Sequence, residues 1–97
     1  MLKLRPAAEQ DIAEAIAWYD EKEPSLGDEF LSEVIACFER ASSKPIGYPT
    51  TYRTFNRALV RRFPYAVHFR VEGTDIVVFA VYHPRRNTES LRKRLDA

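Results

Sequence analysis

The sharpest pattern in the chain is a two-residue alternation over residues 65–72. Tyr65, Val67, Phe69 and Val71 fall on one side and Ala66, His68, Arg70 and Glu72 on the other. A period of two predicts a strand with one buried face. Residues 76–82 are apolar at every position. A strand buried on both faces reads that way, which places it inside a sheet and not at an edge. Glu72-Gly73-Thr74-Asp75 joins the two arms, with a glycine free to take positive φ. The predicted hairpin is bracketed by Arg61 and Arg62 before it and by His83-Pro84-Arg85-Arg86 after it.

Upstream, the period becomes that of a helix. Residues 7–23 carry Ile12, Ala15, Ile16 and Tyr19 at three- and four-residue steps. Pro6 suits the first helical position, Glu9 and Asp11 lie near the positive N-terminal end, and Pro24 stops the helix. Ser25 reads as the N-cap of a second helix, with Asp28 completing a capping box. Its stripe is Phe30, Val34, Cys37, Phe38 and Ala41, widened by Leu31 and Ile35, and Ser42-Ser43-Lys44-Pro45 ends it. The short break between the helices predicts an antiparallel pair. Residues 1–5 alternate weakly, as a short strand. Residues 44–56 read as a long loop, residues 57–63 as a strand, and the tail 87–97 as a short amphipathic helix or a flexible tail.

The resulting order is strand, helix, helix, strand, strand, strand in one domain spanning residues 1–97. The expected fold is α+β: a four-stranded sheet with the helical hairpin on one face. Its last strand takes an interior place between the N-terminal strand and its hairpin partner.

Composition narrows the class. An apolar fraction of 45% suits a globular core. No apolar run approaches the ~20 residues that span a bilayer. Met1 to Pro6 lacks the apolar core of a signal peptide. A single cysteine, Cys37, excludes an internal disulfide and fits a reducing cytoplasm; on a helix stripe it reads as a small core residue. The net charge of +1 hides an asymmetry. Residues 1–40 hold four basic and ten acidic side chains, residues 41–97 eleven basic and four acidic, and nine of those eleven are arginines. Either both halves present ordinary solvated faces, or the basic half meets a phosphate-rich or acidic partner, for which arginine is the better donor.

Few chemistries survive. Three isolated glycines build no phosphate loop. His68 and His83 are the only histidines, so no metal-ligand spacing is present and no cofactor is expected. His83 with Arg61, Arg62, Arg85 and Arg86 remains. An imidazole moves protons near neutral pH and guanidiniums stabilise charge on phosphorus, which suits RNA cleavage. The competing reading is a strand-end histidine hydrogen-bonded to backbone, with arginines paired to helix acids such as Glu14 or Glu33.

The succession D-I-A-E-A-I-A-W-Y (11–19), F-L-S-E-V (30–34), P-x-G-Y-P (45–49), R-R-F-P-Y-A-V-H-F-R-V (61–71) and I-V-V-F-A-V-Y-H-P-R-R (76–86) resembles the ParE/RelE toxin superfamily. It is most similar to the ParE-type branch, often called plasmid stabilisation proteins. The resemblance covers nearly the whole chain. It implies a bacterial type II toxin, in the cytoplasm, held in a hetero-oligomer by a cognate antitoxin. RelE-like members cleave mRNA on the ribosome, whereas characterised ParE-like members inhibit DNA gyrase.

Departures from the nuclease pattern decide between these. Nucleases of the superfamily carry an arginine before the apolar part of the third strand, where Tyr65 stands here, and a tyrosine or histidine near the C-terminus, which residues 87–97 lack. Arg85 matches the family's basic position after the last strand, and His83 a recurring ParE-type position. Gyrase inhibition without catalysis is therefore the expectation. The alternatives are a ribosome-dependent mRNA interferase using His83, Arg85 and Arg62, and an inactive antitoxin-binding module. Arg61, Arg62, His83, Arg85 and Arg86 are the expected target contacts. Trp18, Tyr19 and Phe30 are the expected antitoxin contacts, since bulky residues so placed cannot all point inward; Trp18 and Tyr19 face ~100° apart, so one is core and the other contact.

Overall fold

The computed structural model describes residues 1–96. Strand β1 (Leu2–Leu4) leads into helices α1 (Pro6–Lys22) and α2 (Leu26–Ser43). A 3-10 turn at Pro45–Gly47 follows, then β2 (Thr50–Tyr52), β3 (Phe55–Leu59), β4 (Ala66–Glu72), β5 (Asp75–Tyr82) and α3 (Thr88–Asp96). The sheet order is β1-β5-β4-β3-β2. The uniformly apolar β5 lies inside, parallel to β1 with Leu2 opposite Ile76, and antiparallel to β4.

The fold class is as expected, with two differences. The sheet has five strands, because part of the expected 44–56 loop pairs as β2, with Tyr52 opposite Phe55 across a two-residue turn. Three residues are too few to show a period. The helical hairpin covers one face as expected, but a third helix covers the other. The α1–α2 pair covers one side over Val67, Phe69, Ile76, Val78 and Val81. Helix α3 covers the other, where Leu95 and Leu91 meet Phe55, Val77, Phe79 and Tyr52. This second cover explains why Ala66 and His68 are buried, although the alternation put them on the polar face. Val71, expected inside, is 42% exposed near the Gly73 turn.

The apolar run of β5 conceals an irregularity. His68 pairs with Ala80 but Phe69 with Val78, so Phe79 is an extra residue and β5 bulges there. The bulge brings Val81 back onto the α1 side and aims its N–H at the helices.

The junction between α1 and α2 is capped from outside. Ser25 takes a left-handed φ of 70° and makes no side-chain cap, so the expected Ser25–Asp28 box does not form. Asp20 of α1 accepts from the Gly27 N–H at 2.7 Å instead. Gly27 is needed for that approach, since a Cβ would sit 2.6 Å from Asp20 Oδ1 and 2.7 Å from the Ile16 carbonyl.

Candidate functional site

Residues 60–65 turn β3 into β4. The Val60 N–H donates to the Tyr65 carbonyl at 2.9 Å, and Arg62 takes φ 70° to close the turn. Leu59 pairs with Ala66 and Ala66 with Tyr82. The turn therefore leaves the sheet at the same end as residues 83–86, and all five expected target contacts gather there.

They gather in two groups. Arg62 reaches Glu29 at 2.7 Å and Glu33 at 3.7 Å, both on α2. Arg61 is exposed and enters no ion pair among the described residues, and its charge is felt at the Cys37 thiol of α2. Burial pushes that thiol's pKa up, and the charges of Arg40 and Arg61 pull the other way. On the α1 side, an open groove of about 570 Å³ lies between the helix and the strand ends. Trp18, Glu14, Tyr65, His83, Arg85 and Arg86 are among its walls.

His83 is held firmly in this groove. The Arg85 N–H donates to His83 Nδ1 at 3.0 Å, and the Tyr65 ring packs against the imidazole at 5.4 Å. With Nδ1 accepting, the neutral ring carries its proton on Nε2. Arg86 approaches Asp11 at 3.8 Å and covers the Tyr82 ring at 4.4 Å. Arg85 is exposed and enters no ion pair or side-chain hydrogen bond among the described residues. Burial raises the pKa of both Tyr65 and Tyr19 above the usual phenol range.

The geometry sorts the expected contacts. His83, Arg85 and Arg86 come together; Arg62, tied to α2 acids, does not join them. Trp18 is 52% exposed beside Lys22, 4.7 Å from its ring. Tyr19 is 9% exposed, its ring against Phe30, Phe63 and Tyr65, so it belongs to the core. Phe30 is fully buried and presents nothing to a partner; it sits on the stripe of α2 that faces the sheet.

Sequence reasoning read Asp11 only as an acid near the N-terminal end of α1, whereas it anchors this end of the molecule. Its side chain is 2% exposed and its carboxylate accepts from the Val81 N–H at 3.0 Å. Arg94 of α3 clasps it through two nitrogens, at 2.7 and 3.0 Å. The available signal was its spacing: position 11 lies four and eight residues before Ala15 and Tyr19, on the apolar stripe, where an acid needs a partner.

His68 was also left aside. It is 7% exposed, and its Nδ1 is buried without a partner. Burial, helped by the charge of Arg57 and opposed by Asp11, lowers its pKa from 6.5 to about 4. The sign for stability follows. The unfolded chain binds the proton at higher pH than the folded one, so stability is full above pH ~6.5 and falls as pH drops towards 4. The loss is about 3 kcal/mol at most. Urea unfolding at pH 7 and near pH 4.5 should show it, and His68→Leu should flatten that segment of the profile. An unchanged slope in the variant would contradict the assignment.

A family model described as the ParE toxin of the type II toxin–antitoxin system parDE matches residues 2–88. The chain belongs to the ParE toxin family. Among solved structures it resembles the chromosomal ParDE toxin–antitoxin system from P. aeruginosa, with a TM-score of 0.76 and 16% identity. The match covers 84% of this chain and 92% of that one. At that identity the likeness concerns the fold. No curated protein matches the chain. The ParE match ends at Thr88, so it takes in the groove, Asp11 and His83 to Arg86, and leaves most of α3 outside.

Proposed function

We propose that this ParE-family toxin inhibits DNA gyrase in the cytoplasm by binding, without cutting nucleic acid, and that a cognate antitoxin neutralises it. The observation that carries this is the composition of the arginine end. His83 is locked through Nδ1, and Arg62 is drawn off to Glu29 at 2.7 Å. Arg85 is left unpaired among the described residues, exposed in the turn that follows β5. That arrangement offers one imidazole with no second acid or base hydrogen-bonded to it among the described residues, which makes a poor cleavage centre. It offers an exposed guanidinium, which makes a good contact for an acidic or phosphate-bearing surface.

The antitoxin reading rests on family membership and on the P. aeruginosa relative, which is a ParDE toxin–antitoxin system. The helical hairpin adds a seat. An apolar groove of about 560 Å³ runs between the hairpin and β1, lined by Leu2, Leu4, Ile12, Leu31, Ile35 and Phe38. An amphipathic segment of the antitoxin fits such a groove. With Tyr19 and Phe30 in the core, Trp18 and Ile35 are the bulky residues of α1 and α2 left to meet it.

One preparation tested in two assays separates the readings. Purified protein should block gyrase supercoiling and leave ribosome-bound mRNA intact, and the product of the neighbouring gene should relieve the block. Codon-positioned cuts in mRNA with normal supercoiling would reverse the conclusion in favour of an interferase. Inactivity in both assays, with a stable antitoxin complex, would favour a binding module.

A further inference from the structure

A second concavity lies on the α3 side of the sheet and shares His83 and Arg86 with the Trp18 groove. It is small, about 220 Å³. Arg57 of β3, Arg86 after β5 and Arg92 of α3 converge on it from three elements, with His68 and His83. No aspartate or glutamate lines it. The chain has nearly as many acids as bases, 14 against 15, so this segregation is marked.

Among the described residues, only Arg86 of the three has an acid within reach, Asp11 at 3.8 Å outside the cavity lining. Arg57 and Arg92 enter no ion pair among the described residues. Arg57 stands directly across the β3–β4 ladder from His68, so two basic groups share one face. The His68 side chain, more than nine-tenths buried, makes no side-chain hydrogen bond among the described residues. A buried imidazole without partners is costly, and three guanidiniums around one cavity repel. Both costs fall when an anion with several oxygens enters. Arg86 and Arg92 are steadied over the Tyr82 and Tyr52 rings at 4.4 and 5.6 Å, so their directions are already restricted.

We propose that this cavity binds a phosphate group, as inorganic phosphate or as the terminal phosphate of a small monoester. A tetrahedral dianion meets donors from three directions, where a planar carboxylate meets two, and its charge better matches three guanidiniums. Leu91 and Leu95 of α3 form an apolar part of its wall. The site shares His83 and Arg86 with the surface of the gyrase reading, whereas Arg57, His68 and Arg92 take no part in that reading, so variants at Arg57 and Arg92 test the two separately.

Calorimetric titration of the whole protein with inorganic phosphate, and separately with a nucleoside 5′-monophosphate, tests this. Saturable binding is expected, with the His68 imidazole resonances shifting as phosphate is added. Arg57→Gln should weaken binding about tenfold, the worth of one charge-assisted contact. Arg92→Gln, an exposed change on α3, should do the same and serves as the second variant if Arg57→Gln does not fold. Equal affinity for the two probes assigns the site to free phosphate; tighter monophosphate binding assigns it to a nucleotide. Absence of saturable binding, or binding unaffected by either variant, overturns the proposal. So does tighter binding of single-stranded RNA lacking a terminal phosphate, which would make this an open nucleic-acid surface.

Discussion

Arg94→Ala should destabilise the protein by about 3 kcal/mol or more, a large share of the roughly 5–15 kcal/mol that holds a domain folded. The reason lies in what it leaves behind. Asp11 has a side chain 2% exposed, and Arg94 supplies two of its three short contacts, at 2.7 and 3.0 Å. Without Arg94 the carboxylate keeps only the Val81 N–H and a distant Arg86 at 3.8 Å. An uncompensated buried charge costs far more than the intact pair ever contributed. The loss also spreads. Arg94 donates to the Phe79 carbonyl at 3.3 Å, within the β5 bulge, so α1, β5 and α3 meet at one carboxylate. A fall in Tm on the order of 15 °C is expected in a chain this size. The double variant Asp11→Asn with Arg94→Met, which removes both charges and keeps an acceptor for Val81, should lose much less than the two single changes together. Strict additivity, or a change of Tm within a few degrees for Arg94→Ala, would show that the clasp holds nothing.

This cluster also marks where the sequence stops being legible. The hairpin, the interior place of β5 and the two N-terminal helices follow from periodicity, because each buries a face whose spacing repeats. Asp11 and Arg94 are 83 residues apart, and nothing local in Arg92-Lys93-Arg94 distinguishes the buried member from its solvated neighbours. The β5 bulge is invisible because a strand buried on both faces has no alternation for the extra Phe79 to disturb. Strand β2 has three residues and no pattern of its own. The second cover of the sheet depends on Leu91 and Leu95, two apolar positions in a basic tail, which read equally as helix or as unstructured chain. At the arginine end, composition identified the residue types and topology supplied their grouping. The partners of Arg62 and Arg86 come from helices that sequence order does not place.

Arg85→Ala should leave the fold intact and abolish growth arrest, and Arg86→Ala should separate from it. Arg85 is exposed and makes no ion pair among the described residues. Its backbone N–H, which fixes His83, survives substitution. A surface change of that kind moves stability by less than about 0.5 kcal/mol. Arg86 is half-exposed, 3.8 Å from Asp11 and 4.4 Å over Tyr82, so its loss should cost about 1 kcal/mol in fold stability. Its loss should also weaken arrest, through the same surface. The pair is thus a discriminating test of whether these arginines bind a target or brace the fold. Thermal unfolding, complex formation with the neighbouring gene product, and growth arrest on induction should be measured separately for each variant. A stable, antitoxin-binding and non-toxic Arg85→Ala supports the target contact. A stable Arg85→Ala that still arrests growth removes it from the site. A melted Arg85→Ala would mean that the exposed guanidinium braces a contact absent from this conformation.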